Sequence, residues 1–161
     1  MKKQKKIYLF IVTAFIFFIS AGCVVSLPET FRRTYDEPGV WKSIEVMEGI
    51  SKDELWKTVV DAISHKFDLE VIEKDSGYIR TSWKFTYIEP EFAGRTSERV
   101  SDRYRSRVIL KFTGENWNIL QVKCESHWLA RGNISWIIGY DTALLEDVYG
   151  DLQGRIGRIR R

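Results

Sequence analysis

The chain has 161 residues, room for one domain of ordinary size but not for two. With 44% apolar, 29% charged and 14% aromatic residues it has the composition of a core-forming globular protein, which excludes wholesale disorder, a collagen-like fibre and a polytopic membrane protein. The formal net charge of +3 owes its sign to Lys2, Lys3, Lys5 and Lys6. Residues 1–22 hold no Asp or Glu, so without them 21 cations face 22 anions, and the balance gives no ground for a nucleic-acid partner.

The lysines are followed by an apolar run from Ile7 to Ile19, broken by Thr13 and ending in Ser20-Ala21-Gly22-Cys23. As a helix at ~1.5 Å per residue this run spans about 20 Å, short of the roughly 30 Å hydrocarbon core. Residues 1–22 therefore read as a signal peptide that is removed. Small residues directly before a cysteine resemble the lipobox of bacterial lipoproteins, with Ser20 where that motif usually has Leu. The resemblance implies that Cys23 is lipidated, becomes the mature N-terminus and anchors the chain in a membrane. In a host with two membranes, Val24 after the cysteine implies the outer membrane and its periplasmic face; in a single-membraned host the protein stays at the cell surface. With Cys23 lipidated, Cys124 has no disulfide partner, and its alternation with Leu120 and Val122 makes it a buried thiol in a strand.

Residues 23–40 read as the lipidated cysteine and a tether. Pro28, Pro38 and Gly39 interrupt residues 24–40, which at ~3.3–3.6 Å per residue reach about 55–60 Å when extended. A single α+β domain is expected over residues 41–161. Ile44 and Val46 alternate with polar neighbours in a short strand. Ser51-Lys52-Asp53-Glu54 is a capping box, and Leu55, Val59 and Ile63 continue from it at helical spacing. Residues 69–74 make a second strand, Asp75-Ser76-Gly77 a turn, and period-two alternation from Tyr78 to Tyr87 predicts one long strand with Ile79, Thr81, Trp83, Phe85 and Tyr87 on one face. Residues 103–112 alternate again, Gly114-Glu115-Asn116 turns the chain, and residues 117–129 form a further strand. Asp141 is placed to cap a closing helix over 141–160, carrying Leu145, Val148, Leu152, Ile156 and Ile159. Gly150, Gly154 and Gly157 within it are explained only if that helix closely approaches the sheet or a partner.

The expected fold is an antiparallel sheet of about five strands with both helices packed on one face, in the order β-α-β-β-β-β-α. Its core should contain Ile79, Trp83, Phe85, Val108, Leu110, Leu120 and Val122. This order, with Trp56-x-x-Val59-Val60-x-x-Ile63 on the first helix, Gly77-Tyr78-Ile79-Arg80-Thr81-Ser82-Trp83 on a hairpin and Arg103-Tyr104-Arg105-Ser106-Arg107-Val108 on a later strand, resembles the domains of the BamC (NlpB) lipoproteins. The resemblance covers residues 41–160. It implies a helix-grip-like domain and an accessory role in outer-membrane protein assembly, although that family has two such domains and this chain has one.

Signals of enzyme chemistry are missing from the sequence. His65 and His127 are its only histidines; no Cys/His cluster has zinc spacing, and there is no glycine-rich phosphate loop or nucleophile elbow. The reading is therefore a non-enzymatic chain with no metal and no cofactor, in which His65 sits at a helix end and His127 on a solvated strand face. Two features carry a possible partner surface. One is the cationic stripe Arg103, Arg105 and Arg107, joined on the polar sheet face by Arg80 and Lys84; residues 77–161 carry 14 cations against 10 anions, whereas residues 23–76 carry 7 against 12. The other is the fourteen-residue stretch 89–102 between two strands, with Phe92, Arg95 and Arg99 as contact candidates. Two functions compete. One is a module that holds or scaffolds another envelope protein. The other is a carrier enclosing a lipid or other apolar ligand between helix and sheet, lined by Trp83, Phe85, Tyr87 and Trp128. A filled helix–sheet interface favours the first, and an open cavity there of some 300–1,000 Å³ favours the second.

Overall fold

The structure, a computed structural model, describes residues 27–36, 39–88, 102–129 and 134–158. Its elements are β1 (Phe31–Arg33), β2 (Trp41–Glu45), α1 (Lys52–Ser64), β3 (Leu69–Glu73), β4 (Tyr78–Thr81), β5 (Lys84–Ile88), β6 (Asp102–Thr113), a short 3-10 turn at Glu115–Trp117, β7 (Ile119–Leu129), β8 (Ile137–Asp141) and α2 (Thr142–Ile156). The α+β class, the antiparallel sheet and the two helices agree with the sequence pattern. The sheet has eight strands among the described residues, however, in place of about five. The difference comes from β1 within the expected tether, from β8 before the closing helix, and from division of the segment 78–87 into β4 and β5.

Its spine is the β6–β7 hairpin, in unbroken register from Arg103↔Leu129 to Thr113↔Ile119. β4 and β5 follow one another along the outer edge of β6, and β2 and β8 along the outer edge of β7; β3 and β1 complete the two sides. Successive side chains alternate across a strand, so Val108, Leu110 and Phe112 of β6 and Leu120, Val122 and Cys124 of β7 point to one face. Both helices cover that face.

Helix α1 begins where Ser51 Oγ accepts from the amide of Glu54 at 3.2 Å, and its buried stripe is Leu55, Val59, Ala62 and Ile63. Helix α2 begins at Asp141, whose Oδ1 accepts from the amides of Ala143 (2.9 Å) and Leu144 (3.2 Å). The other oxygen of Asp141 lies 3.0 Å from the hydroxyl of Tyr104 on β6, which also meets Ser126 Oγ at 3.0 Å, so the cap ties the helix start to the sheet. Ile44, Leu55, Val59, Ile79, Leu110, Val122 and Leu152, each at most 1% exposed, fill the space between helices and sheet. Burying each such side chain contributes roughly 1.5–3 kcal/mol. Gly77 has φ +65° at the β3–β4 turn, and a Cβ there would meet Phe112 at 2.8 Å, which explains the glycine. By contrast, Gly150 and Gly154 have nothing within 4 Å of a would-be Cβ, so the helix does not approach the sheet closely there and nothing in the structure explains them.

Five of the seven expected core residues are buried there, but Trp83 and Phe85 are not. The predicted single strand breaks at Ser82-Trp83. β4 pairs Ile79 with Leu110, whereas β5 pairs Lys84 with Ser106, a slip of one residue that reverses which side chains face the helices. Phe85 consequently lies on the open face, 52% exposed. Thr81 closes the break, its buried Oγ1 accepting at 2.9 Å from the amide of Val108.

Replacing Thr81 with Val preserves shape but leaves that buried amide unpaired, and should cost about 1–3 kcal/mol in urea denaturation. Leu110→Ala, which opens a cavity under both helices, should cost about 2–5 kcal/mol. A neutral result for either would contradict the packing described.

Candidate functional site

Alternation sends Arg103, Arg105 and Arg107 of β6, and Lys123, Glu125 and His127 of β7, to the face that the helices leave open. All of these side chains but Arg103 form a continuous ladder with three tryptophans. Lys123 Nζ lies 5.2 Å above the Trp41 ring and 3.2 Å from Glu125 Oε1. The other oxygen of Glu125, a residue 4% exposed, accepts from Arg107 Nε at 2.7 Å and Nη2 at 2.6 Å. The Arg107 guanidinium carbon is 4.4 Å from the Trp83 ring centre. Arg105 continues the series, 4.5 Å from the centres of both Trp83 and Trp136. Its Nε and Nη2 point to His127 Nδ1 at 3.2 and 2.9 Å, and His127 packs 4.5 Å from Trp83. Contacts of this kind contribute roughly 0.5–2 kcal/mol each, the larger values where water is excluded.

Two guanidiniums thus sit side by side, and the carboxylate of Glu125 is engaged by Arg107 and Lys123. Arg105 makes no ion pair among the described residues; its partners are a neutral imidazole and two indole faces. Burial, and then the charge on Arg107, lower its pKa, yet a guanidinium remains protonated. The same burial, reinforced by the charge on Arg105, pulls His127 down to about 4, so its ring is neutral and Nδ1 is free to accept. His127 is therefore half-buried and fixed, not solvated as its place in the alternation suggested. His65 is exposed at the end of α1, where its Nδ1 lies 2.6 Å from Asp61 O.

Of the sequence candidates, Arg103, Arg105 and Arg107 stand in one row, with Arg103 exposed at its end. Arg80 shares the face but lies one strand over, its Nε 3.3 Å from Glu70. Lys84 does not belong: the slip at Ser82-Trp83 turns it to the helix side, where Nζ approaches Lys66 O at 3.4 Å and the Phe67 ring at 5.5 Å. Phe92, Arg95, Arg99 and Cys23 lie outside the described residues. Trp41, Trp83, Lys123, Glu125, His127 and Trp136 were missed as site residues. The alternation in 121–127 pointed to three of them; the alternation in 78–87 included Trp83 but put it on the core face, and Trp136 precedes its strand with no periodic signal. Among the described residues no three His, Cys, Asp or Glu side chains cluster as a metal ion would require. Cys124 is buried, and its thiol is pushed up to about 12 by burial, far from a nucleophilic thiolate.

His127 should couple the ladder to pH. The unfolded chain takes up its proton near 6.5 and the folded chain near 4, so between these values the unfolded state binds more protons and stability falls as pH drops. In urea denaturation from about pH 7.5 to 4.5, wild type should lose more stability than His127→Gln, which cannot titrate; equal losses would place His127 in water.

No protein-family model matches this chain and no curated protein matches it, so the functional reading rests on the geometry of these residues.

Proposed function

We propose that this chain is a lipid-anchored cell-envelope protein whose domain is a non-enzymatic interaction module, with the open sheet face holding an acidic segment of another envelope protein. The observation that carries this reading is Arg105: a charged guanidinium held flat by two indoles with no carboxylate partner among the described residues, in a row with the exposed Arg103. Such a group is already oriented and partly stripped of water, so an incoming carboxylate pair gains a charge-assisted bond without ordering a free side chain. Indoles beside it offer rigid apolar area of the kind that anchors interfaces.

The helix-grip-like arrangement and a kinship with the BamC/NlpB lipoproteins belong to the same proposal. The strand–helix beginning, the Gly77–Trp83 segment and the arginine-rich β6 support it, and with it an accessory role in outer-membrane protein assembly. Side chains fill the helix–sheet interface, and Trp83 and Phe85 lie on the other face, which favours the interaction module over the apolar carrier.

A photo-crosslinking residue at position 103 should capture a discrete partner in membranes, whereas the same residue at Lys57, exposed on the outer side of α1, should not. Arg105→Glu, which abolishes no ion pair among the described residues, should reduce the capture at position 103, and rising salt should weaken it. Arg107→Glu is unsuitable for this test, because a second carboxylate beside buried Glu125 would unfold the face. Capture unaffected by Arg105→Glu and by salt would reject the open face as the binding surface.

A further inference from the structure

Leu27 already packs, with Ile137, against Phe31 and Trp128. Folded contacts therefore begin four residues after Cys23, a distance of at most about 14 Å. On the proposed reading that Cys23 carries the lipid, this end of the sheet cannot stand 55–60 Å from the bilayer as a free tether would allow; it is held against the surface.

The same end carries apolar side chains that nothing in the described structure covers. β1 and the segment leading into β8 border a groove of about 440 Å³ lined by Arg33, Thr34, Tyr35, Ile134, Trp136 and Ile138 among others. Tyr35 is 84% exposed, Ile134 98% and Ile138 43%. Ile137 joins the two features, lining the groove and packing, as Leu27 does, against Phe31 and Trp128. Arg33 reaches over the Tyr35 ring at 4.9 Å. Tyrosine, tryptophan and arginine beside aliphatic side chains are the residues that settle at a membrane–water interface, rings at headgroup level and aliphatic chains below. At the far end of the sheet the turns expose Asp75 and Glu115, which no bilayer would favour.

We infer that the β1–β8 end is a membrane-docking surface that seats Tyr35, Ile134 and Ile138 in the interface of a lipid bilayer. Along residues 27–36 the charge is balanced, since exposed Arg32 and Arg33 are accompanied by exposed Glu29 and Asp36. The apolar side chains therefore supply the contact, and it does not require anionic lipid. Docked in this way, the domain has a fixed orientation on the membrane.

The test uses the full chain, purified from bacterial membranes in detergent, with acylation of Cys23 read by mass spectrometry. A polarity-sensitive fluorophore is attached in Ile134→Cys and, as a reference, in Asp75→Cys; Cys124 is buried and does not compete for label. In phosphatidylcholine vesicles containing a headgroup nitroxide lipid, quenching at position 134 should exceed that at position 75 several-fold. Adding Tyr35→Asp and Ile138→Asp to Ile134→Cys should lower the docked-to-undocked ratio about tenfold or more. Acylated protein quenched equally at 134 and 75 would overturn the docking while leaving the anchor standing. Protein without the acyl mass would overturn the anchor reading and the docking with it. A doubled mass in detergent, lost with Tyr35→Asp and Ile138→Asp and without quenching at 134, would assign the groove to a second copy of the chain and overturn the lipid assignment.

Discussion

Everything in this fold depends on the parity of the β6–β7 ladder. Because the register is unbroken from Arg103↔Leu129 to Thr113↔Ile119, the even-numbered residues of both strands share the face on which the helices pack and the odd-numbered ones share the open face. On the helix side the two strands contribute Val108, Leu110, Phe112, Leu120, Val122 and Cys124 to one dry core. On the other side the same register sets Arg105 opposite His127 and Arg107 opposite Glu125, so the polar pairs of the open face follow from the pairing that builds the core. A slip of one residue would bury four charges and expose the core at once, which makes the register strongly specified.

The break at Ser82-Trp83 is the one place where a neighbouring strand leaves that parity. Its effect is local in energy and large in consequence. The Thr81 hydroxyl accepts from the amide of Val108, so that buried amide is paired, and the Ser82 amide donates to Asp68 O at 2.8 Å. Freed from the core side, Trp83 lies over Arg105 and Arg107 and offers its ring to both guanidiniums. Without the slip the indole would belong to the core, and the arginine row would be an ordinary solvated strand face.

Charge and apolar surface are divided along the sheet. Lys66 bridges to Asp147 and Asp151 across the two helices, and Lys42 to Glu146, so the helix layer closes with exposed, salt-sensitive pairs that add little stability individually. The open face concentrates cations around one buried carboxylate. The end formed by β1 and β8 keeps a separate small cluster, Phe31 and Trp128 with Leu27, Tyr104 and Ile137, beyond the reach of the helices. That cluster makes the N-terminal segment part of the fold and brings the exposed groove close to residue 23.

The local elements were legible in the sequence wherever a period or a cap declared them. Ser51 and Asp141 start their helices as their side chains require, Leu55, Val59 and Ile63 form the stripe that spacing predicts, and Cys124 is the buried thiol that alternation implies. Arg103, Arg105 and Arg107 were recognisable as one face because the period of a strand is two. What the sequence could not show is where that period changes phase: a one-residue slip leaves the alternation of 78–87 intact to the eye while moving Lys84 and Phe85 to opposite faces. Nor could it reveal β1, three residues whose pairing exists only once β8 is beside them, or the meeting of Trp83 and Trp136 over Arg105, residues far apart in the chain. Periodicity and capping act within a few residues, so the sequence by itself determined the helices, the spine of the sheet and the arginine row; the choice of faces after the slip and the aromatic ladder rest on contacts between distant strands, which only the tertiary structure decided.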